Sequence, residues 1–314
     1  MLLSRTADSL YWISRYLERA EHAARVIGVA VDVRLGRSSG VGTGAIERLY
    51  AGLGIADAAP GARADTAFFD LDHDNSVIST ITLARENARQ VREGISSEMW
   101  EQINALYLRL KQMREDAAWT GRTHYLARTV IDGIHLFQGV TDATMDHGEG
   151  WQYLQVGRYL ERASATAALL DEFVPDTSLD SDEAPLDQTE WVSLLRACSA
   201  REAYYRTFTA DVRAERVAEF LLLNAEFPRS VRFAASRVES ALLGLARWSG
   251  RRAGGRSERL AGRLHASLDY GQLDEILRDG SHTYLTGISS QCEQIHGALY
   301  QTYLSYPIET ALPA

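Results

Sequence analysis

The hexapeptide Arg15-Tyr16-Leu17-Glu18-Arg19-Ala20 returns unchanged as Arg158-Tyr159-Leu160-Glu161-Arg162-Ala163, 143 positions later in a chain of 314 residues. A six-residue return, half of it ionic and displaced by nearly half the chain, marks an internal duplication. Such self-similarity constrains the fold before any local propensity is weighed. A second echo agrees: Glu86-Asn87-Ala88-Arg89-Gln90-Val91-Arg92 aligns with Glu226-Phe227-Pro228-Arg229-Ser230-Val231-Arg232 at an offset of 140. The two matches divide the chain into repeats 1–147 and 148–314, which are expected to pack as one domain.

Helical periodicity dominates both halves. Between Arg5 and Leu35, the residues Leu10, Ile13, Leu17, Ala20, Ala24 and Ile27 fall on one stripe of a 100° wheel, the pattern of an amphipathic helix. Ser4 is the expected N-cap, and Gly36 with Gly40 the stop. A looser stretch over 35–75 holds a short helix near Ala45–Leu53. Ser76 then caps a helix to about Glu93, Ser96/Ser97 open another to Asp116, and a fourth covers Arg122–Asp146. The second half restarts at Trp151 and runs to Phe173. An acidic linker, about 175–186, contains Asp176, Asp180, Asp182 and Glu183 and reads as a solvated connection. Further helices are expected over Gln188–Phe208, Glu215–Leu223, Arg229–Arg247, Ser257–Leu277 and Ser281–Tyr303. Pro228 requires the second copy to break where the first is continuous. The fold class is therefore all-α: a pseudo-two-fold tandem duplication of a helical bundle with long antiparallel helices and essentially no strand.

Composition narrows the function classes. The formal charge of -9 argues against a general attraction to nucleic acid or to an anionic membrane. The N-terminal ten residues lack the apolar core of a signal peptide, and no run reaches the length of a membrane span, so a cytoplasmic protein is expected. Lys111 is the single lysine among 33 basic residues, and arginine suits bidentate pairing with carboxylate or phosphate. Cys198 and Cys292 stand alone, without disulfide or zinc spacing. Asp70-Leu71-Asp72-His73-Asp74 lacks the glycine and distal glutamate of a calcium loop. His124 and His135 are too far apart for a zincin pair. No phosphate loop or nucleophile elbow occurs, so no metal, cofactor or catalytic residue is assigned. The Arg251/Arg252/Arg256/Arg259/Arg263 stretch reads first as a solvated basic face.

What the repeats do offer is ionic. On the first helix Asp8, Tyr11, Trp12, Arg15, Glu18, Arg19 and His22 share the face opposite the apolar stripe. Arg15, Glu18 and Arg19 lie three and four positions apart, close enough to form one cluster. Exposed helical pairs of this kind contribute only about 0.3–0.5 kcal/mol each. The cluster recurs, however, as Arg158, Glu161 and Arg162, and aromatic residues sit on its face. The second element adds Arg85, Glu86, Arg89 and Arg92, with Glu98 and Asn104 on the next helix, and its partner adds Asn224, Glu226, Arg229 and Arg232. Two readings stand: an ionic lattice bracing helix to helix, or arginines converging on a cleft that holds an anion or ligand.

These segments carry a resemblance. Ser4-Arg5-Thr6-Ala7-Asp8-Ser9-Leu10-Tyr11-Trp12 running into Arg15–Glu21 resembles the opening of the bacterial alpha-E domain family. Ala84–Arg89, Ser96–Trp100, Gly157–Ala163, and Asn224 with Phe227–Val231 are similar to its later motifs. Phe227 departs from the family's usual Asn-Pro-Arg-Ser pattern. The resemblance implies an all-helical protein associated with a circularly permuted ATP-grasp-type ligase, often with a transglutaminase-like peptidase nearby. On that basis the chain is expected to be a non-catalytic helical partner or substrate-holding subunit of a peptide or amide ligase system. The alternative is an enzyme of peptide or amide metabolism with Glu18, Glu161 or Glu98 as general base. The oligomeric state stays open.

Overall fold

In the computed structural model, residues 2–36, 43–55, 63–115, 122–174, 186–209, 211–250, 254–278 and 280–304 are described, and among them every regular element is helical. The first half comprises α1 (Ser4–Leu35), α2 (Thr43–Ala51), α3 (Arg63–Phe69), α4 (Val77–Gln90), α5 (Ser97–Glu115) and α6 (Thr123–Thr144). The second comprises α7 (Glu149–Asp171), α8 (Gln188–Ala197), α9 (Arg201–Phe208), α10 (Ala214–Leu223), α11 (Val231–Trp248), α12 (Arg256–Asp269), α13 (Leu273–Arg278) and α14 (Ser281–Leu299). A π-helical turn, Tyr300–Leu304, extends α14. The short helix α3 has no counterpart in the sequence reading, and most of the expected acidic linker lies outside the described residues.

Local chemistry sets most boundaries. Ser76 caps α4 by accepting from Ser79 N, and Ser96 Oγ accepts from Met99 N to open α5. Asp187 and Glu190 form a reciprocal capping box on α8. Ser4, by contrast, is already helical; Leu3 holds the N-cap position with no side-chain cap. Two expected helices are each split. Gln188–Phe208 breaks where Ser199 takes a positive φ of 51°, and Ser257–Leu277 breaks after Tyr270, between α12 and α13. Pro228 sits in a turn rather than a first helical turn; α11 restarts three residues later, capped by Ser230.

Helices α1, α4, α5 and α6 pack in a ring, each on the next, and α7, α11, α12 and α14 form a second ring. The rings join along α1 and α7. Contacts climb these two helices in the same order: Leu2 N on Glu149, Ser14 beside Gly157, Arg15 on Glu161, Glu18 on Arg162. The joining pair is therefore parallel, in a bundle expected to be built of long antiparallel helices. Because α1 packs on α4 and α6 within its own ring and on α7 of the other, most of it is buried. Leu10, Ile13 and Leu17 face one core, while Tyr11, Glu18 and Glu21 are equally enclosed. One continuous cluster of buried apolar side chains runs through both rings.

Candidate functional site

The site begins at the tightest point of the α1–α7 crossing. Gly157 lies against Ser14 and the Tyr11 carbonyl, where a Cβ would overlap Ser14 Oγ; the glycine lets the backbones approach closely. That approach puts the two copies of the repeated motif in reach of each other. Arg162 grips Glu18 with Nε on Oε1 and Nη2 on Oε2, both at 2.6 Å, a two-point fork. In the other direction, Arg15 Nε donates to Glu161 Oε2 and Arg19 Nε to Glu161 Oε1, each at 2.6 Å. Glu18 is 1% exposed and Glu161 7% exposed.

A loop between α10 and α11 adds Arg229. Asn224 Oδ1 accepts from Glu226 N and Phe227 N at 2.9 and 2.7 Å, and Ser230 Oγ donates to the Asn224 carbonyl. The folded turn presents the Pro228 carbonyl to Arg162 Nη1 at 3.1 Å. It directs Arg229 between Glu18 and Glu21, its Nη1 on Glu18 at 3.4 Å. Glu21, fully buried, also receives Arg25 Nη2 at 2.5 Å and meets His135 Nε2 at 2.9 Å. Five arginines thus enclose three carboxylates. Burial alone would raise the pKa of Glu161, yet Arg15 and Arg19 outweigh it and hold it below the ordinary value. Against the same burial, Arg229, His135 and Arg25 hold Glu21 well below it.

The two motif copies are not equivalent in their surroundings. Arg15 has a carboxylate, and its proton is held more tightly than usual: Glu161 overcomes the effect of burial. Arg158, its sequence counterpart, makes no hydrogen bond or ion pair among the described residues. Burial, reinforced by the charge of Arg162, lowers its pKa.

On the side where Glu161 lies, a cleft of about 330 Å³ opens. Arg15, Arg19 and His22 of α1 form one wall, Glu161 with Ser164 and Ala165 of α7 another, and Cys292, Glu293 and His296 of α14 a third. Leu53, Ile55 and Ala67 supply aliphatic surface, and Asn75 accepts from Arg19 Nη1 at 2.8 Å. Tyr11 OH bridges Arg15 Nη1 at 3.1 Å and His296 Nδ1 at 2.8 Å. His22 is buried and its Nε2 has no hydrogen-bond partner among the described residues. Burial, with Arg229 nearby, drops its pKa to about 4, so the ring is neutral. Burial pushes the Cys292 thiol up to about 12, leaving it protonated and a poor nucleophile. Among the described residues no group of histidine, cysteine and carboxylate side chains is arranged to hold a metal.

Of the residues singled out in the sequence, the fold brings Arg15, Glu18, Arg19, Glu161, Arg162 and Arg229 together, with Asn224 shaping the loop beneath them. Arg158 lies beside them without an ion pair, and the others lie elsewhere. Arg85 binds Asn104 Oδ1 and Glu86 and sits 4.6 Å from the Tyr107 ring centroid. Arg89 pairs with Glu86 at the exposed end of α4, Arg92 lies over Trp100, and Glu98 is exposed. Arg232 pairs with Asp269 and binds the Leu223 carbonyl. The second echo therefore does not superpose: Arg89 ends α4, whereas Arg229 precedes α11. Its segment is helical in one copy and a capped turn in the other. His22 was placed on the polar face of α1 but given no role, and Glu21, Arg25, His135 and His296 were not in the sequence-derived set. The Glu21–Arg25 spacing of four was the one local signal available for them.

A family model described as a predicted alpha-helical domain with a conserved ER motif, Alpha-E, matches residues 2–304. The chain belongs to the Alpha-E family. Two Glu-Arg pairs of this member, Glu18-Arg19 and Glu161-Arg162, are the ones that interlock at the α1–α7 crossing. It is similar to an uncharacterized protein of Mycobacterium bovis, 24% identical over 335 residues, an alignment covering 96% of this chain and 37% of the relative. An uncharacterized protein of Mycobacterium tuberculosis is 23% identical over the same lengths. The chain thus spans little more than a third of the curated relatives it matches. No solved structure matches it. No helix among the described residues is long and apolar enough to cross a membrane.

Proposed function

We propose that this Alpha-E chain is the non-catalytic helical partner, or substrate-holding subunit, of an ATP-grasp-type peptide or amide ligase system in the cytoplasm. A transglutaminase-like peptidase would be a further component. The observation that carries the non-catalytic reading is the way each motif glutamate is clamped by arginines of the other helix. A general base works best with a pKa near the working pH, and Glu161 is displaced in the opposite direction. Glu98, the third candidate base, lies on the exposed surface of α5, away from the cleft. The ligase association comes from the family resemblance. The greater length of the mycobacterial relatives is compatible with an Alpha-E segment working beside a second protein or segment.

We also read the two rings as products of a tandem duplication with α1 and α7 at a pseudo-two-fold crossing. Three features support this: the repeated hexapeptide, the reciprocal clamps, and the matching Ser76-Val77 and Ser230-Val231 starts of α4 and α11.

The test is affinity purification of the tagged chain from its native host. An ATP-grasp protein recovered with the wild type, and reduced by Arg15→Ala combined with Arg158→Ala, is the expected result. Recovery of the wild type without any ATP-grasp protein would overturn the proposal.

A further inference from the structure

The cleft beside Glu161 has features that helix bracing does not need. Five arginines surround three carboxylates, so the lattice carries surplus positive charge, and burying unmatched charge is unfavourable. Arg15 and Arg19 are where that surplus meets open space. Each guanidinium has five N–H donors; Arg15 spends three on Glu161 and Tyr11, and Arg19 three on Glu161 and Asn75, which leaves about two per side chain. His22, buried and unpartnered at Nε2, lines the same cleft. A polar ring in such a position lacks the partner that buried groups normally have.

We infer that this cleft binds a small monocarboxylate, the carboxyl end of an amino acid or of a peptide. Its carboxylate meets Arg15 and Arg19, and its aliphatic part rests on Leu53, Ile55 and Ala67. Charge decides between anions. Glu161 already neutralises one of the two guanidiniums, so the pair offers one net positive charge, and the Glu293 carboxylate on the α14 wall repels a dianion about twice as strongly as a monoanion. A carboxylate with an apolar tail matches that balance and the aliphatic wall; a phosphate dianion matches neither. The inference deepens the substrate-holding half of the proposed function and rests on that reading for the origin of the ligand.

The experiment titrates the purified chain with L-alanine, N-acetyl-L-alanine and inorganic phosphate, following the ring nitrogen signals of His22 by NMR. Either carboxylate should shift them, and Ala165→Leu, which narrows the cleft and removes no charged group, should weaken binding about tenfold or more. Ser164→Leu serves the same purpose should Ala165→Leu not fold. Tighter binding of L-alanine identifies a free amino acid, and tighter binding of N-acetyl-L-alanine a peptide end; both support the site. The inference is overturned if no carboxylate shifts His22 up to about 50 mM, if phosphate binds more tightly than both, or if filling the cleft changes nothing. These titrations need no ligase, so their failure is distinct from a failed co-purification.

Discussion

Arg162 reaches from α7 to grip both carboxylate oxygens of Glu18 on α1, while Glu161, its immediate neighbour, receives Arg15 and Arg19 from α1 in return. Each Glu-Arg step therefore closes on the other copy and not on its own helix. Neither pair can form without the crossing, and the crossing buries both. The motif is in this sense a lock between the two rings.

The Glu18–Arg162 lock has a measurable energy signature. Removing one partner leaves the other buried and uncompensated, and Glu18→Gln or Arg162→Met alone should each destabilise the protein by about 3–5 kcal/mol. The double variant should lose much less than the sum. Urea unfolding of the four proteins in a double-mutant cycle measures the coupling; additive losses would show that the fork contributes nothing specific.

Arg15 and Arg158 should behave oppositely although each opens the same hexapeptide. Arg15→Met takes one of two cations from Glu161 and should cost about 2 kcal/mol. Arg158→Met replaces a half-buried cation that has no ion-pair partner among the described residues and should be neutral or stabilising by up to about 1 kcal/mol. Thermal unfolding of the two single variants decides it, and equal losses would contradict the asymmetry.

Gly157→Ala places a methyl group on Ser14 and the Tyr11 carbonyl and should destabilise by about 1–3 kcal/mol through overpacking. Gly139 of α6 is exposed with open space around it. Gly139→Ala should therefore stabilise by roughly 0.5–1 kcal/mol. Chemical denaturation of both variants separates close approach from helix propensity.

His22 makes stability depend on pH in a defined window. Its folded pKa of about 4 lies below the ordinary 6.5, so on acidification the unfolded chain takes up this proton first. The contribution is fully present above pH 6.5 and is lost progressively as pH falls to about 4, amounting to roughly 3 kcal/mol. The depressed carboxylates Glu161 and Glu21 add their own loss below the ordinary carboxylate range, in the same direction. Unfolding free energies at pH 7 and pH 5 should differ less in His22→Gln than in the wild type; an unchanged difference would remove His22 from the account.

The sequence by itself determined the all-helical class, most helix boundaries and the importance of the repeated motif. Periodicity, serine caps and the Pro228 break act within a few residues, so they can be read along the chain. Tertiary structure decided what the charges do. The wheel placed Glu18 and His22 on a polar face, but α1 lies where the two rings join, and Glu18 is buried there against α7. Which arginine pairs with Glu18, why Arg158 has no carboxylate, and why Glu21 joins the lattice all depend on the parallel crossing at Ser14 and Gly157. The loop that Asn224 folds around Arg229 matters as much. The pairings across the crossing join residues more than 140 positions apart, and helical spacing along one chain segment carries no information about them.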